Sequence, residues 1–260
     1  MKLAVPAHIE AGQGRALVFL HGVGGNKESF AAHLPVFAAQ GWRAISWDNP
    51  GYGDSALPAV FDWPHLADAL RDLLDALKID RAVVVGHSMG GMVAQEFAAR
   101  HPERLSALVL FGTSPAFGSK EGDFQKKFVG ARLRPLDEGK SMTDVANAIV
   151  RGMMAPNPPP AAVAAAIDAM GRVPQATYRL AVQNLTTFER RDNLPKIAVP
   201  TLCLAAEYDT NATPAMMERM TSKIPGAAYR CMPGVGHLGN FENPALFDAT
   251  LGDYLKILEA

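Results

Sequence analysis

Short, unbroken apolar runs recur along the chain, each ending at a glycine or acidic loop. Ala16-Leu17-Val18-Phe19-Leu20 ends at His21-Gly22, Arg43–Trp47 at Asp48-Asn49-Pro50-Gly51, Arg81–Val85 at Gly86, and Leu105–Phe111 at Gly112. Thr201–Ala205 precedes Glu207, and Ala227–Met232 runs into another glycine-rich loop. Apolar runs without polar alternation suit strands covered on both faces. Between them the period changes. Leu66, Leu70, Leu73, Leu74 and Leu77 recur at spacings of three and four, with Asp62 placed to cap and Pro64 just after it. Met92, Val93, Phe97 and Ala98 keep the same period until His101-Pro102, and Pro214 and Pro244 open two further helices. Strand–helix alternation of this kind predicts an α/β fold: a mostly parallel sheet with helices on both faces.

One stretch breaks the alternation. From Pro115 to Asn193 there are helical segments, among them 161–170, but no convincing strand, and Ala155-Pro156-Asn157-Pro158-Pro159-Pro160 excludes a helix interior. The chain is expected to divide into a core of residues 1–114 and 193–260 and an inserted helical cap, or lid, of 115–192. The alternative is that this stretch is simply more core.

Composition narrows the function. The 260 residues carry 25 basic and 26 acidic side chains, for a net charge of −1. That argues against a nucleic-acid partner, whose phosphates require a basic patch. No run of 18 apolar residues is present to span a bilayer, and the start, Met1 to His8, lacks the apolar core of a signal peptide. A cytoplasmic protein acting on a small molecule is the expectation. Cys203 and Cys231 are too few for a disulfide scaffold, and both fall in apolar strand-like runs, so both are expected to be buried thiols.

The chemistry is concentrated in Gly86-His87-Ser88-Met89-Gly90-Gly91, a G-x-S-x-G string between a strand and a helix. The glycines allow a sharp turn that lifts a serine hydroxyl above the sheet edge at the positive end of the following helix. Serine needs a base, and the base needs an orienting acid. After Ser88 only His101 and His237 remain. His101 falls at the far end of the helix, whereas His237 lies in Pro233-Gly234-Val235-Gly236-His237, a loop after a strand-like run. Of the carboxylates between them, Asp209 follows the strand 201–205 at the right distance. Glu207 is its close competitor but sits nearer the strand end. Oxyanion donors are expected from the Met89 amide and from the Val23 amide in His21-Gly22-Val23-Gly24-Gly25. A phosphate-binding reading of that loop lacks the required G-x-x-x-x-G-K-[ST] or G-x-G-x-x-G string. His21 and His87 read as structural, with His87 expected to point away from the serine. No metal-ligand spacing is present, and the mechanism demands no cofactor.

These segments together resemble the α/β-hydrolase superfamily over nearly the whole chain. His21–Gly25 is similar to its oxyanion loop, Asp48-Asn49-Pro50-Gly51-Tyr52-Gly53-Asp54-Ser55 to its D-x-x-G-x-G-x-S turn, Gly86–Gly91 to its nucleophile elbow, and Gly236-His237-Leu238 with Glu242-Asn243-Pro244 to its histidine loop and last helix. The resemblance implies an eight-stranded, mostly parallel sheet with a cap after the sixth strand. Ser88-Met89-Gly90-Gly91-Met92 and His237-Leu238-Gly239-Asn240-Phe241-Glu242 look most like 3-oxoadipate enol-lactonases and related small esterases. Meta-cleavage carbon–carbon hydrolases are the alternative, although they typically show Asn before the nucleophile and Trp after the base, where this chain has His87 and Leu238. A non-enzymatic protein on the same fold is disfavoured because serine, acid and histidine are all present.

The expected activity is therefore hydrolysis of a small carboxylic ester or lactone through an acyl-enzyme on Ser88, with His237 and Asp209 completing the triad. In the cap, Met153, Met154, Met170 and Phe188 suit a modest apolar substrate group, and equally suit lid core. Arg151, Arg172, Arg179, Arg190 and Arg191 are candidates for holding a substrate carboxylate, although each taken singly reads first as a solvated surface group.

Overall fold

The computed structural model describes residues 4–118 and 123–258. Its strands are β1 (His8–Ala11), β2 (Arg15–Leu20), β3 (Trp42–Trp47), β4 (Ala82–His87), β5 (Leu105–Phe111), β6 (Thr201–Ala206) and β7 (Ala228–Met232). Helices α1 (Leu34–Ala38), α2 (Trp63–Ala76) and α3 (Met89–Arg100) lie among the first five strands. α4 (Phe124–Asp137), α5 (Met142–Ile149), α6 (Pro160–Gly171) and α7 (Gln175–Leu185) separate β5 from β6. α8 (Pro214–Thr221), α9 (Gly239–Glu242) and α10 (Pro244–Ile257) complete the chain.

The strands form one sheet in the order β1-β3-β2-β4-β5-β6-β7. Only β1 is antiparallel; every other pairing is parallel. Seven strands are present among the described residues, where the resemblance implied eight. β1 itself, a half-buried HIEA segment, has too little apolar periodicity to stand out in the sequence.

Alternate residues of each central strand feed two cores. Leu17, Phe19, Val83, Val85 and Val109 pack with α1 and α10 on one face. Val18, Leu20, Val84, Leu108 and Leu110 pack with α2, α3 and α8 on the other. This double burial explains the unbroken apolar runs. Helix ends follow local chemistry: the Asp62 carboxylate accepts the His65 amide at 3.0 Å to cap α2, and Thr213 and Asn243 cap α8 and α10. Cys203 on β6 is buried, but Cys231 is exposed, contrary to expectation. β7 is an edge strand, so its side chains are covered less completely than those of the central strands.

The chain leaves and re-enters the sheet through a narrow neck before and after helices α4–α7. Ala116 bridges Glu189, the Phe117 amide donates to the Phe188 carbonyl at 3.2 Å, and the Arg190 amide donates to the Pro115 carbonyl at 2.7 Å. The helices then rest on the loops at the carboxyl ends of the strands. Thr177 donates to the Gly51 carbonyl at 2.6 Å, and the Trp63 indole donates to Thr187 at 3.0 Å. Among the described residues no helix is long and apolar enough to cross a membrane.

Candidate active site

The carboxyl ends of four parallel strands converge on one place. β2 delivers the His21–Gly25 loop, β4 delivers Ser88, β6 leads to Asp209, and the loop after β7 carries His237. Parallel strands put their loops on one edge, so residues far apart in sequence meet there.

Ser88 occupies a backbone conformation that side chains rarely adopt, with φ of 52° and ψ of −116°. Such strain costs about 1–3 kcal/mol and persists only where surroundings enforce it. Here the enforcement is close packing. A Cβ on Gly90 would sit on the Leu20 backbone, and one on Gly91 would lie 2.6 Å from the Thr113 side chain. The Ser88 carbonyl accepts from Thr113 Oγ1 at 2.7 Å, and the Ser88 amide donates to the Phe111 carbonyl at 2.9 Å, which locks the turn. The serine stands at the N-cap of α3, where the first amides have no intrahelical partner.

The His21–Gly25 loop runs directly beside it. A Cβ on Gly22 would lie 3.2 Å from Ser88 Cβ. The Gly25 amide donates to the Gly22 carbonyl at 3.0 Å, and Tyr52 Oη donates to the Val23 carbonyl at 3.1 Å, so the Val23 peptide is fixed from outside. Among the described residues neither the Val23 nor the Met89 amide has a protein acceptor, which leaves both available to a ligand oxygen. His21 is structural. It accepts the Asn49 amide on Nε2 at 3.0 Å and holds the Gly22 carbonyl through Nδ1 at 2.8 Å. Burial keeps it neutral by pushing its pKa down.

Asp209 Oδ2 lies 2.7 Å from His237 Nδ1. Its other oxygen accepts the amides of Asn211 at 2.7 Å and Ala212 at 3.0 Å. Burial would raise this carboxyl; the His237 ring and those two amides outweigh it and hold the pKa below its ordinary value. Glu207, the competitor, is exposed and accepts the Gly234 amide at 2.7 Å, away from the histidine ring. With Nδ1 engaged, Nε2 is the ring nitrogen left for proton transfer. Ser88 Oγ makes no hydrogen bond among the described residues; such contacts are often long until substrate binds.

His87 departs from its expected orientation. It donates from Nε2 to the His237 carbonyl at 2.8 Å and lines the cavity beside Ser88. Burial first, then the neighbouring His237, pushes its pKa down to about 3. It therefore stays neutral, a clamp on the histidine loop. The same loop is tied to the helical segment. The His237 amide donates to the Met153 carbonyl at 2.7 Å, and buried Glu242 accepts from Gly236 at 2.9 Å and from Ala155 at 2.8 Å. Nothing in the sequence signalled this tie, because it joins residues more than eighty positions apart.

The cavity has two lobes that share Val23, Gly24, Ser88, Met153, Met170 and His237. The smaller, about 50 Å³, is bounded by the glycine loop, Val150, Leu238 and Phe241. The larger, about 310 Å³, extends under α4 and α7. Met153 and Met170 thus sit where a substrate would be. Met154 and Phe188 line neither lobe: Met154 is buried behind the histidine loop, and Phe188 is spent against Trp63, with ring centroids 4.7 Å apart. Four of the five arginine candidates are also engaged elsewhere. Arg172 pairs with Asp168 at 2.7 Å, Arg179 with Asp137 at 2.5 Å, Arg191 with Glu189 at 2.8 Å, and Arg190 with Glu96. Arg151 is exposed and lines neither lobe.

A parallel sheet carrying a serine on a strained strand-to-helix turn, with a histidine–aspartate pair on later loops of the same edge, defines an α/β hydrolase. The chain belongs to the alpha/beta hydrolase fold family, whose profile matches residues 15–244. A 2-hydroxy-6-oxo-6-phenylhexa-2,4-dienoate hydrolase of Comamonas testosteroni is 40% identical over 108 residues, a match spanning 40% of this chain and 38% of that one. The enol-lactonase of Burkholderia xenovorans LB400 superposes with a TM-score of 0.87 at 24% identity, covering 98% of this chain and 99% of that one. A thermophilic esterase from Thermogutta terrifontis superposes with a TM-score of 0.89 at 24% identity, covering 98% and 94%. At these identities the superpositions speak to the fold alone.

Proposed function

We propose that this protein hydrolyses a small carboxylic ester or lactone through an acyl-enzyme on Ser88. The observation that carries the reading is the 2.7 Å His237–Asp209 contact in the same cavity wall as a serine held at positive φ. In the first half-reaction Ser88 Oγ attacks the carbonyl carbon and gives its proton to His237 Nε2. Asp209 holds the ring in the tautomer that leaves Nε2 bare and stabilises the imidazolium. The Val23 and Met89 amides receive the oxyanion, which develops beside a helix N-terminus. The tetrahedral intermediate collapses by breaking the bond to the alkoxide, which takes the proton from Nε2. Water then repeats the sequence on the acyl-enzyme and frees the acid. No cofactor enters any step. Residues 115–192 act as a cap that shapes the cavity above the sheet edge, and the partner is a small molecule.

The local match to a dienoate hydrolase favours one second reading, carbon–carbon cleavage of a dienol ketoacid by the same residues. Comparing turnover of dienol ketoacids with p-nitrophenyl esters and enol-lactones separates the two. For either, Ser88→Ala is expected to abolish turnover and labelling by a fluorophosphonate while the circular dichroism spectrum stays unchanged. Full turnover in that variant would overturn the proposal.

A further inference from the structure

The larger lobe contains a cation that no carboxylate among the described residues neutralises. Arg132, on α4, is the one Lys, Arg, Asp or Glu side chain among the described residues lining it. No carboxylate among the described residues lies within ion-pairing distance of Arg132, whereas Arg134, two residues on, pairs with Glu138 at 3.6 Å. Its guanidinium rests instead over the Phe128 ring, 5.1 Å from the centroid. A half-buried guanidinium stacked on an aromatic ring keeps its edge N–H donors free for a planar partner.

A second group at the same wall is also unsatisfied. Tyr178 on α7 is fully buried, lines the same lobe, and its hydroxyl has no hydrogen-bond partner among the described residues. Leaving a buried hydroxyl unpaired costs about 1–3 kcal/mol. Burial raises the pKa of this phenol, and Arg132 opposes the rise by its charge and by a side-chain approach that falls short of a well-formed hydrogen bond. Two donors, one charged and one neutral, thus line a lobe walled by Phe117, Val182 and Leu185, with Thr113, Ser114, Thr210 and Asn211 also on its lining, that reaches Ser88 and His237.

We infer that Arg132 and Tyr178 form a carboxylate subsite, and that the substrate is an anionic ester or lactone whose carboxylate is held there while its carbonyl lies at Ser88. No Asp or Glu among the described residues lines the lobe to repel an anion, and a guanidinium pairs bidentately with a carboxylate as ammonium does not. The apolar walls fit the hydrocarbon chain between the two groups. The inference rests on the hydrolase reading for its reacting end, but the anion site itself can be tested without turnover.

Two measurements decide it. The first is calorimetric binding of free succinate, glutarate and adipate to the wild-type chain, Arg132→Met, Arg132→Lys and Tyr178→Phe. At least one diacid is expected to bind the wild type at least about tenfold tighter than Arg132→Met, with Arg132→Lys between them and Tyr178→Phe weakened about three- to tenfold. Equal affinity in wild type and Arg132→Met, or no binding of any diacid to the wild type, overturns the subsite. The second compares p-nitrophenyl hemiesters of the same diacids with their methyl-capped analogues. In wild type the free acid is expected to have the higher kcat/KM, and Arg132→Met should collapse that ratio at least about thirtyfold, chiefly through KM. A ratio unchanged by Arg132→Met overturns the inference. Diacid binding that depends on Arg132, in a chain that turns over no ester, would refute the hydrolase reading and leave the anion site standing. Arg132→Lys keeps the charge and guards against a folding defect in the methionine variant.

Discussion

Replacing Asp209 by Asn tests the electrostatic design of the site with little change in shape. The Asp209 carboxylate makes three contacts: one to His237 Nδ1 at 2.7 Å, and two to the amides of Asn211 and Ala212 at 2.7 and 3.0 Å. An asparagine can keep the two amide contacts only through its carbonyl oxygen. Its NH2 then faces His237 and must donate to Nδ1. The ring is forced into the tautomer with hydrogen on Nε2, the nitrogen that has to take the serine proton. The buried negative charge that would stabilise the imidazolium is lost as well. Reversing the tautomer in a triad of this design costs about ten-thousandfold in kcat, or roughly 5 kcal/mol at 1.36 kcal/mol per decade. The fold should survive, since the replacement is isosteric and retains two contacts. The assay is kcat/KM on a p-nitrophenyl ester, with urea unfolding as the control. Glu207→Gln is the paired comparison. Its carboxylate is exposed and, among the described residues, hydrogen-bonds the Gly234 amide alone, so a change within about threefold is expected, the size of an ordinary surface substitution. A loss of less than about tenfold in Asp209→Asn, or a larger loss in Glu207→Gln, would refute this assignment of the acid.

The remaining predictions follow from strain, burial and charge. Ser88→Gly should eliminate turnover yet raise stability, because glycine relieves a positive-φ strain of about 1–3 kcal/mol against a backbone-entropy cost of about 0.5–1 kcal/mol; an unchanged or lower urea midpoint would count against stored strain at the elbow. Glu242→Gln should destabilise by about 1–3 kcal/mol, since both carboxylate oxygens accept backbone amides and glutamine can replace only one acceptor; kcat should fall with it, and unchanged stability and turnover would remove the tie between histidine loop and helical segment. Acid should weaken the fold through Asp209. Its folded pKa is depressed, so its contribution is present above the unfolded value of about 3.9 and is lost as pH falls through the lower folded value. Urea titrations from neutral pH to pH 3 should therefore show a steeper loss for wild type than for Asp209→Asn, and parallel curves would contradict the sign.

Much of the reactive centre was legible because its constraints are local or ordered. A strand that must turn sharply into a helix while raising a hydroxyl needs small residues at fixed offsets, so Gly86, Gly90 and Gly91 announce Ser88. The apolar runs announced a parallel sheet because strands covered on both faces have no polar side. Asp209 and His237 could be picked out because a parallel sheet puts its strand ends on one edge, and few acids and histidines follow strand ends. β1 escaped notice as a short half-buried edge strand. Cys231 was misjudged because an edge strand is covered less than its apolar sequence implies.

The substrate side was not legible, since it depends on which faces of four helices meet the sheet edge. Periodicity marks Met153, Met154, Met170 and Phe188 alike as apolar, but only the packing turns the first and third toward Ser88 and spends Phe188 on Trp63. Among the arginines, charge and spacing look the same in sequence. Tertiary contacts neutralise Arg172, Arg179, Arg190 and Arg191 with carboxylates and leave Arg132 beside a tyrosine hydroxyl that has no hydrogen-bond partner among the described residues. The sequence by itself determined the sheet and the candidate serine, acid and histidine at its carboxyl edge, because each follows from backbone geometry. The contents of the cavity were decided only when distant helices closed over it, because pairing and burial belong to neighbours in space.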